Sequence, residues 1–125
     1  MGDLSEHFSR VEFSCRCGCG FDAVAPGLVD LLERTRSIFG RRMVITSGCR
    51  CAAHNRAVGG SQQSQHLAGR AADIHVASTQ HRHALVAAFL QAGASGVGVA
   101  KGFVHGDVGL ADADRGILRP ALWTY

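Results

Sequence analysis

No apolar run in the sequence approaches the ~20 residues that a membrane-crossing helix requires, which argues against a helical span. The opening stretch MGDLSEHFSRVEF lacks the basic segment followed by an apolar one that marks a secretory signal, so synthesis as a cytoplasmic product is the expectation. Gly2 follows the initiator, but Glu6 stands where a myristoylation motif wants Ser or Thr. Strong charge is missing too: the formal net charge is only +3, and the basic residues are scattered without interleaved aromatics. That pattern argues against nucleic acid as a partner, although a mild positive balance assists approach to an anionic polymer. What remains is 125 residues with 46% apolar and 18% charged side chains, the composition of one globular domain. A chain of this size buries a core without disulfides or metal, and the expectation is a single domain over residues 1–125, acting as a monomer.

The elements alternate without a repeating strand-helix-strand pattern. Leu4 to Phe13 reads as a short helix capped by Ser5, with Phe8 and Val11 on one face. After Pro26 a helix carries Leu28, Leu31, Leu32 and Phe39 at helical spacing and stops at Gly40. RMVITSG has the β-branched content of a buried strand ending at Gly48, followed by a helical turn around Ala52–Ala57 and the VGGS break. Ala71–Val76 is a second strand, and Thr79–Gln91 a helix packing through Leu85, Val86, Phe89 and Leu90 up to Gly93. GVGVAKGFVHGDV reads as two strands around Lys101 and Gly102. The predicted class is α+β, with a small, mainly antiparallel sheet and flanking helices.

Little polar chemistry is concentrated anywhere except in SQHLAGRAADIH, residues 64–75. His66 and Asp73 lie seven positions apart with Gly69 between them, so a glycine turn can bring both toward one point. His105, in the apolar FVHGDV, can face the same cavity. Two imidazoles and one carboxylate make a three-ligand set that leaves a fourth position for water, the arrangement of catalytic zinc.

The combination of SGCR, SQHLAGRAADI and FVHGDV resembles the zinc peptidoglycan peptidases related to D-alanyl-D-alanine carboxypeptidase, particularly their short phage- or prophage-associated members. The specific part is S-x-H-x-x-G-x-A-x-D, complete here as Ser64, His66, Gly69, Ala71 and Asp73. The resemblance implies an α+β fold shared with the hedgehog signalling domain. It also implies zinc ligands at His66, Asp73 and His105, Ser64 beside the substrate, and Arg50 binding or polarising it. Such a zinc ion lowers the pKa of its water toward ~7 and polarises the scissile carbonyl. Many relatives carry a Glu or Asp three residues before the last histidine as general base, and here that position is Gly102. Asp107 is the substitute candidate: it lies on the same strand face as His105, where it takes the water's proton or orients the imidazole. Its structural alternative is a turn-forming or salt-bridging aspartate. His75 shares the parity of Asp73, and His54, His81 and His83 read as solvated helix positions.

Cys15, Cys17 and Cys19 alternate, as do Cys49 and Cys51, which sends each set to one side of an extended chain and Arg50 to the other. Reduced packing thiols, disulfides and a second metal site all remain open for them. The leading functional expectation is a zinc metallopeptidase cutting peptidoglycan stem peptides. The bond is that of a D,D-carboxypeptidase or endopeptidase, or of an L-alanyl-D-glutamate endopeptidase, and the setting is phage lysis or a particle tail acting at the cell wall. The alternatives are a zinc-stabilised binding module without turnover and a cysteine-based metal or redox protein. Trp123 and Tyr125 are expected in core packing rather than as an aromatic wall.

Overall fold

The computed structural model describes residues 2–125. Five strands, β1 (Ile45–Ser47), β2 (Ala71–His75), β3 (Gly96–Val99), β4 (Phe103–Asp107) and β5 (Ala121–Thr124), form one sheet in the order β1-β2-β4-β3-β5. All pairings are antiparallel except β3 with β5. Three helices, α1 (Pro26–Phe39), α2 (Ala52–Ala57) and α3 (Thr79–Ala92), complete an α+β architecture. The α1 and α3 helices pack against each other, and α3 also lies against β3 and β4.

Both long helices have the ends the sequence predicts. Pro26 occupies the first turn of α1, and Gly40 ends it at φ 74°, a left-handed conformation that costs glycine little. Ser78 caps α3 by accepting from the His81 backbone N–H at 3.0 Å. Leu28, Leu31, Leu32, Leu85 and Phe89 are fully buried, and with Phe8, Phe13, Ile74, Val97 and Val104 they make the core. Leu90, expected among them, is 53% exposed.

The strand period of two divides the sheet cleanly. Ile74, Val97 and Val104 face the helices, while Asp73, Gly98 and His105 face the opposite, open side. Asp73 pairs across the ladder with Ser47 and His105, His105 with Gly98, and Gly98 with Trp123. One transverse row therefore carries two polar groups of the predicted site side by side.

Three further expectations are corrected. The helix predicted over Leu4–Phe13 is only a 3-10 turn at Arg10–Phe13. The residues before it bond elsewhere: the Ser5 hydroxyl and the His7 backbone N–H donate to Glu33 of α1 at 2.6 and 2.8 Å. Phe8 is buried and Val11 exposed, so they share no face. The buried strand expected over Arg42–Gly48 shrinks to β1, an edge strand with a register irregularity, and Val44 is exposed. Finally, Trp123 and Tyr125 lie on the open side, where Trp123 borders the His105 ring and Tyr125 the Phe103 ring.

Candidate metal centre

His66 rides on a 3-10 turn, Gln65–Ala68, whose first N–H groups need a partner. The Ser64 hydroxyl supplies it, accepting from the His66 backbone N–H at 3.2 Å, and Gly69 ends the turn at φ 67°. The chain then enters β2 and delivers Asp73 opposite His105 on β4. All three side chains are buried, at 2%, 4% and 4% exposure.

Their donor atoms converge. Asp73 Oδ1 lies 3.2 Å from His66 Nε2 and 3.1 Å from His105 Nδ1. The far nitrogen of each imidazole is tied down: His66 Nδ1 sits 2.6 Å from the Gly48 carbonyl, and His105 Nε2 sits 2.7 Å from Asp107 Oδ2. A carbonyl and a carboxylate only accept, so those nitrogens carry protons, and the other two face the Asp73 oxygen, as donors when protonated and as ligands for a metal when not. Once deprotonated, those two nitrogens and the carboxylate oxygen make a converging donor set for a cation.

The donor set fits zinc. Tetrahedral zinc with nitrogen and oxygen ligands has a ligand-to-ligand edge of ~3.3 Å, close to the two spacings observed. The acceptor behind each imidazole is the support that metal-bound histidines have.

Burial works against charge on Asp73 and His105, but hydrogen bonds prevail, from His105 and His66 on Asp73 and from Asp107 and Asp73 on His105. They hold the Asp73 carboxyl well below the usual carboxylate range and lift His105 above the ordinary imidazole value. Asp107 follows the same balance: burial would raise it, yet His105 and Arg119 bring it down to about 2.

Arg50 is no solvated loop residue. Its Nη2 donates to Asp73 Oδ2 at 3.2 Å, its Nε to the Ser47 hydroxyl at 3.1 Å and its Nη1 to Asn55 Oδ1 at 3.2 Å. Asp107 has no exposed surface and no spare lone pair. Arg119 clamps it through Nε–Oδ1 and Nη2–Oδ2 at 3.1 and 2.9 Å, and the Gly109 backbone N–H donates at 2.9 Å. His75, at the outer end of β2, is exposed and takes no part.

A cavity of about 640 Å³ opens over this floor, and Arg50, Ser64, Trp123 and Tyr125 are among its walls. Arg119 escaped the sequence reading, and its guanidinium carbon stands 5.3 Å from the indole centre of Trp123, which was expected in the core. The one available signal for Arg119 was indirect: a buried Asp107 in an apolar strand demands a cation. Glycines clear the space. A β-carbon on Gly96 would strike the Asp107 carboxylate, and one on Gly98 would strike the indole of Trp123.

No curated protein matches the chain. The family model described as Peptidase M15 matches residues 6–107, which take in Arg50, Ser64 and all three converging donors. That match extends over more than half of the sequence, and the chain therefore belongs to the peptidase M15 family, whose members are metalloenzymes.

Proposed function

We propose that the protein is a zinc peptidase that hydrolyses peptide bonds in the stem peptides of bacterial peptidoglycan, with residues 1–125 forming one catalytic domain that acts as a monomer at the cell wall. The observation that carries this reading is the convergence of two buried imidazoles, each with its far nitrogen held by an acceptor, on Asp73 Oδ1 at the floor of an open cavity. His66, Asp73 and His105 would hold the zinc. When bound, zinc acts as a Lewis acid that makes water nucleophilic near neutral pH and polarises the scissile carbonyl.

The chain's own residues do the rest. Arg50 holds Asp73 in place and presents its guanidinium at the cavity wall, where it suits a substrate carboxylate or the developing oxyanion. Ser64 fixes the turn that carries His66 and borders the same space. Asp107 takes the orienting role: its oxygens are occupied by His105, Arg119 and Gly109, so it keeps the His105 proton on Nε2. Trp123 and Tyr125 offer flat apolar surface to a peptide backbone or side chain. A carboxylate-binding arginine beside the metal suits a D,D-carboxypeptidase or an enzyme cutting next to D-glutamate, and a chain of this type works in phage lysis.

Gly102 favours one competing reading, a zinc-stabilised wall-binding module without turnover, because no carboxylate occupies the position where many relatives keep their base. Mass spectrometry of fragments released from purified muropeptides decides between them. Zinc-loaded protein is expected to release peptides or D-alanine, and His66→Ala to release none. A wild-type protein that holds zinc yet liberates nothing makes the binding module the correct description.

A further inference from the structure

Four of the five cysteines gather at a place the peptidase site does not use. The Cys15, Cys17, Cys19 and Cys51 sulfurs all lie within 4.8 Å of one another. Three of the spacings are 3.4 Å (Cys15 to Cys17), 3.6 Å (Cys17 to Cys51) and 3.9 Å (Cys15 to Cys51). The fifth, Cys49, is 2% exposed and belongs to the hydrophobic core instead. The sequence pattern, which would place Cys49 and Cys51 on one side, is thus corrected: the chain turns between them, one inward and one to the cluster.

We propose that these four thiolates form a second metal site, a closed tetrahedral zinc that fastens the N-terminal segment to the Arg50 loop. A zinc–sulfur distance of ~2.3 Å gives a sulfur-to-sulfur edge of ~3.8 Å, and the three spacings scatter about that figure. A disulfide would instead draw one pair to ~2.05 Å and leave the other sulfurs as bystanders. Here no pair is singled out.

The backbone is built for the purpose. Gly18 and Gly20 take φ 83° and 90°, conformations that L side chains rarely adopt, and so fold C-x-C-x-C back on itself instead of leaving it extended. The Cys15 N–H bonds to the Phe21 carbonyl at 2.8 Å and closes that turn. Cys51 caps α2, its sulfur accepting from the His54 N–H at 3.4 Å, while the Cys51 N–H points to Cys15 Sγ at 3.5 Å. Such N–H groups offset charge on sulfur. Each thiol would lose its proton to solvent on binding, so the site forms more readily as pH rises.

The location gives the site a purpose. Cys51 directly follows Arg50, which grips Asp73, and Gly48 supplies the carbonyl that holds His66. The Cys49 N–H donates to the Phe13 carbonyl at 2.9 Å, so residues 13–19 and 48–51 run alongside each other. Zinc across these segments would pin both supports of the catalytic floor from outside.

The test is elemental analysis of reduced, dialysed protein, together with cobalt(II) absorption. Wild type is expected to hold two zinc ions per chain. Cys17→Ser/Cys19→Ser is expected to hold one, and His66→Ala to hold one. Cobalt added to metal-free His66→Ala, whose cysteines are all intact, is expected to give the intense near-ultraviolet thiolate charge-transfer bands of a tetrahedral sulfur site. Absence of those bands with all cluster thiols open to a thiol reagent, or recovery of Cys15, Cys17, Cys19 or Cys51 in disulfides, overturns the proposal. So does a cysteine double variant that retains both zinc ions. Loss of the His66 site alone leaves the cobalt bands in place, which keeps this result separate from the peptidase reading.

Discussion

Asp107 gathers the sharpest consequences at the scale of single residues. Its carboxyl titrates at about 2 rather than the ordinary 3.8, so its contribution to stability is present above pH ~4 and disappears as pH falls through ~2. The shift is worth on the order of 2 kcal/mol. Chemical unfolding of metal-free protein between pH ~5 and ~2 should show Asp107→Asn losing less stability than wild type over that interval. Arg119→Met leaves the same carboxylate buried without its guanidinium and is expected to cost ~3 kcal/mol in a urea titration at neutral pH. Asp107→Ala frees the His105 ring, and a competing chelator should register a 10- to 100-fold weaker zinc affinity, a range of about that size being usual for lost support behind a ligand. His66, Asp73 and His105 were legible in the sequence because a glycine turn and a strand period of two govern where they point. Arg119 was not, since it reaches Asp107 from a tail without periodic pattern, across a fold that only tertiary packing defines.

Strands and helices were readable where their ends carry chemical punctuation. Pro26, Gly40 and Gly93 fix the termini of α1 and α3, and G-V-G-V already encodes a β3 with small residues on the open side and valines on the core side. The N-terminal segment defeated the same reasoning because Glu33, remote in sequence, outcompetes local helix bonds for Ser5 and His7. In β4 the alternation places Gly106 against the ring of Phe89, where an added β-carbon would collide. Gly106→Ala is therefore expected to destabilise the protein by ~1–3 kcal/mol through overpacking, measured by urea unfolding. Because His105 and Asp107 flank that position, the same variant should also weaken zinc binding, whereas an equal destabilisation placed in α1, such as Val29→Ala, should not.

For the molecule as a whole, binding of the proposed metal would be thermodynamically linked to folding. Zinc that binds only the native chain should add ~2.7 kcal/mol at a free concentration one hundred times its dissociation constant, visible as a concentration-dependent rise in Tm that a chelator reverses. Protons compete for the same atoms. His105 titrates above the ordinary 6.5 in the metal-free protein, so the stability from its charged form is complete below pH ~6.5 and is lost as pH rises through the raised value. Zinc held by His105 as proposed would have to displace that proton, and calorimetric titrations from pH ~5 to ~8 should show affinity climbing with pH and proton release shrinking in step. The match to the family ends at Asp107, yet Arg119 and Trp123 arrive at the cavity from the segment beyond it, along a β5 that docks parallel to β3. Residues 108–125 thus supply part of the cavity wall and the clamp on Asp107 from outside the matched stretch. Substitutions along β5 that keep Arg119 are therefore expected to change which ligands the cavity accepts while Asp107 stays clamped.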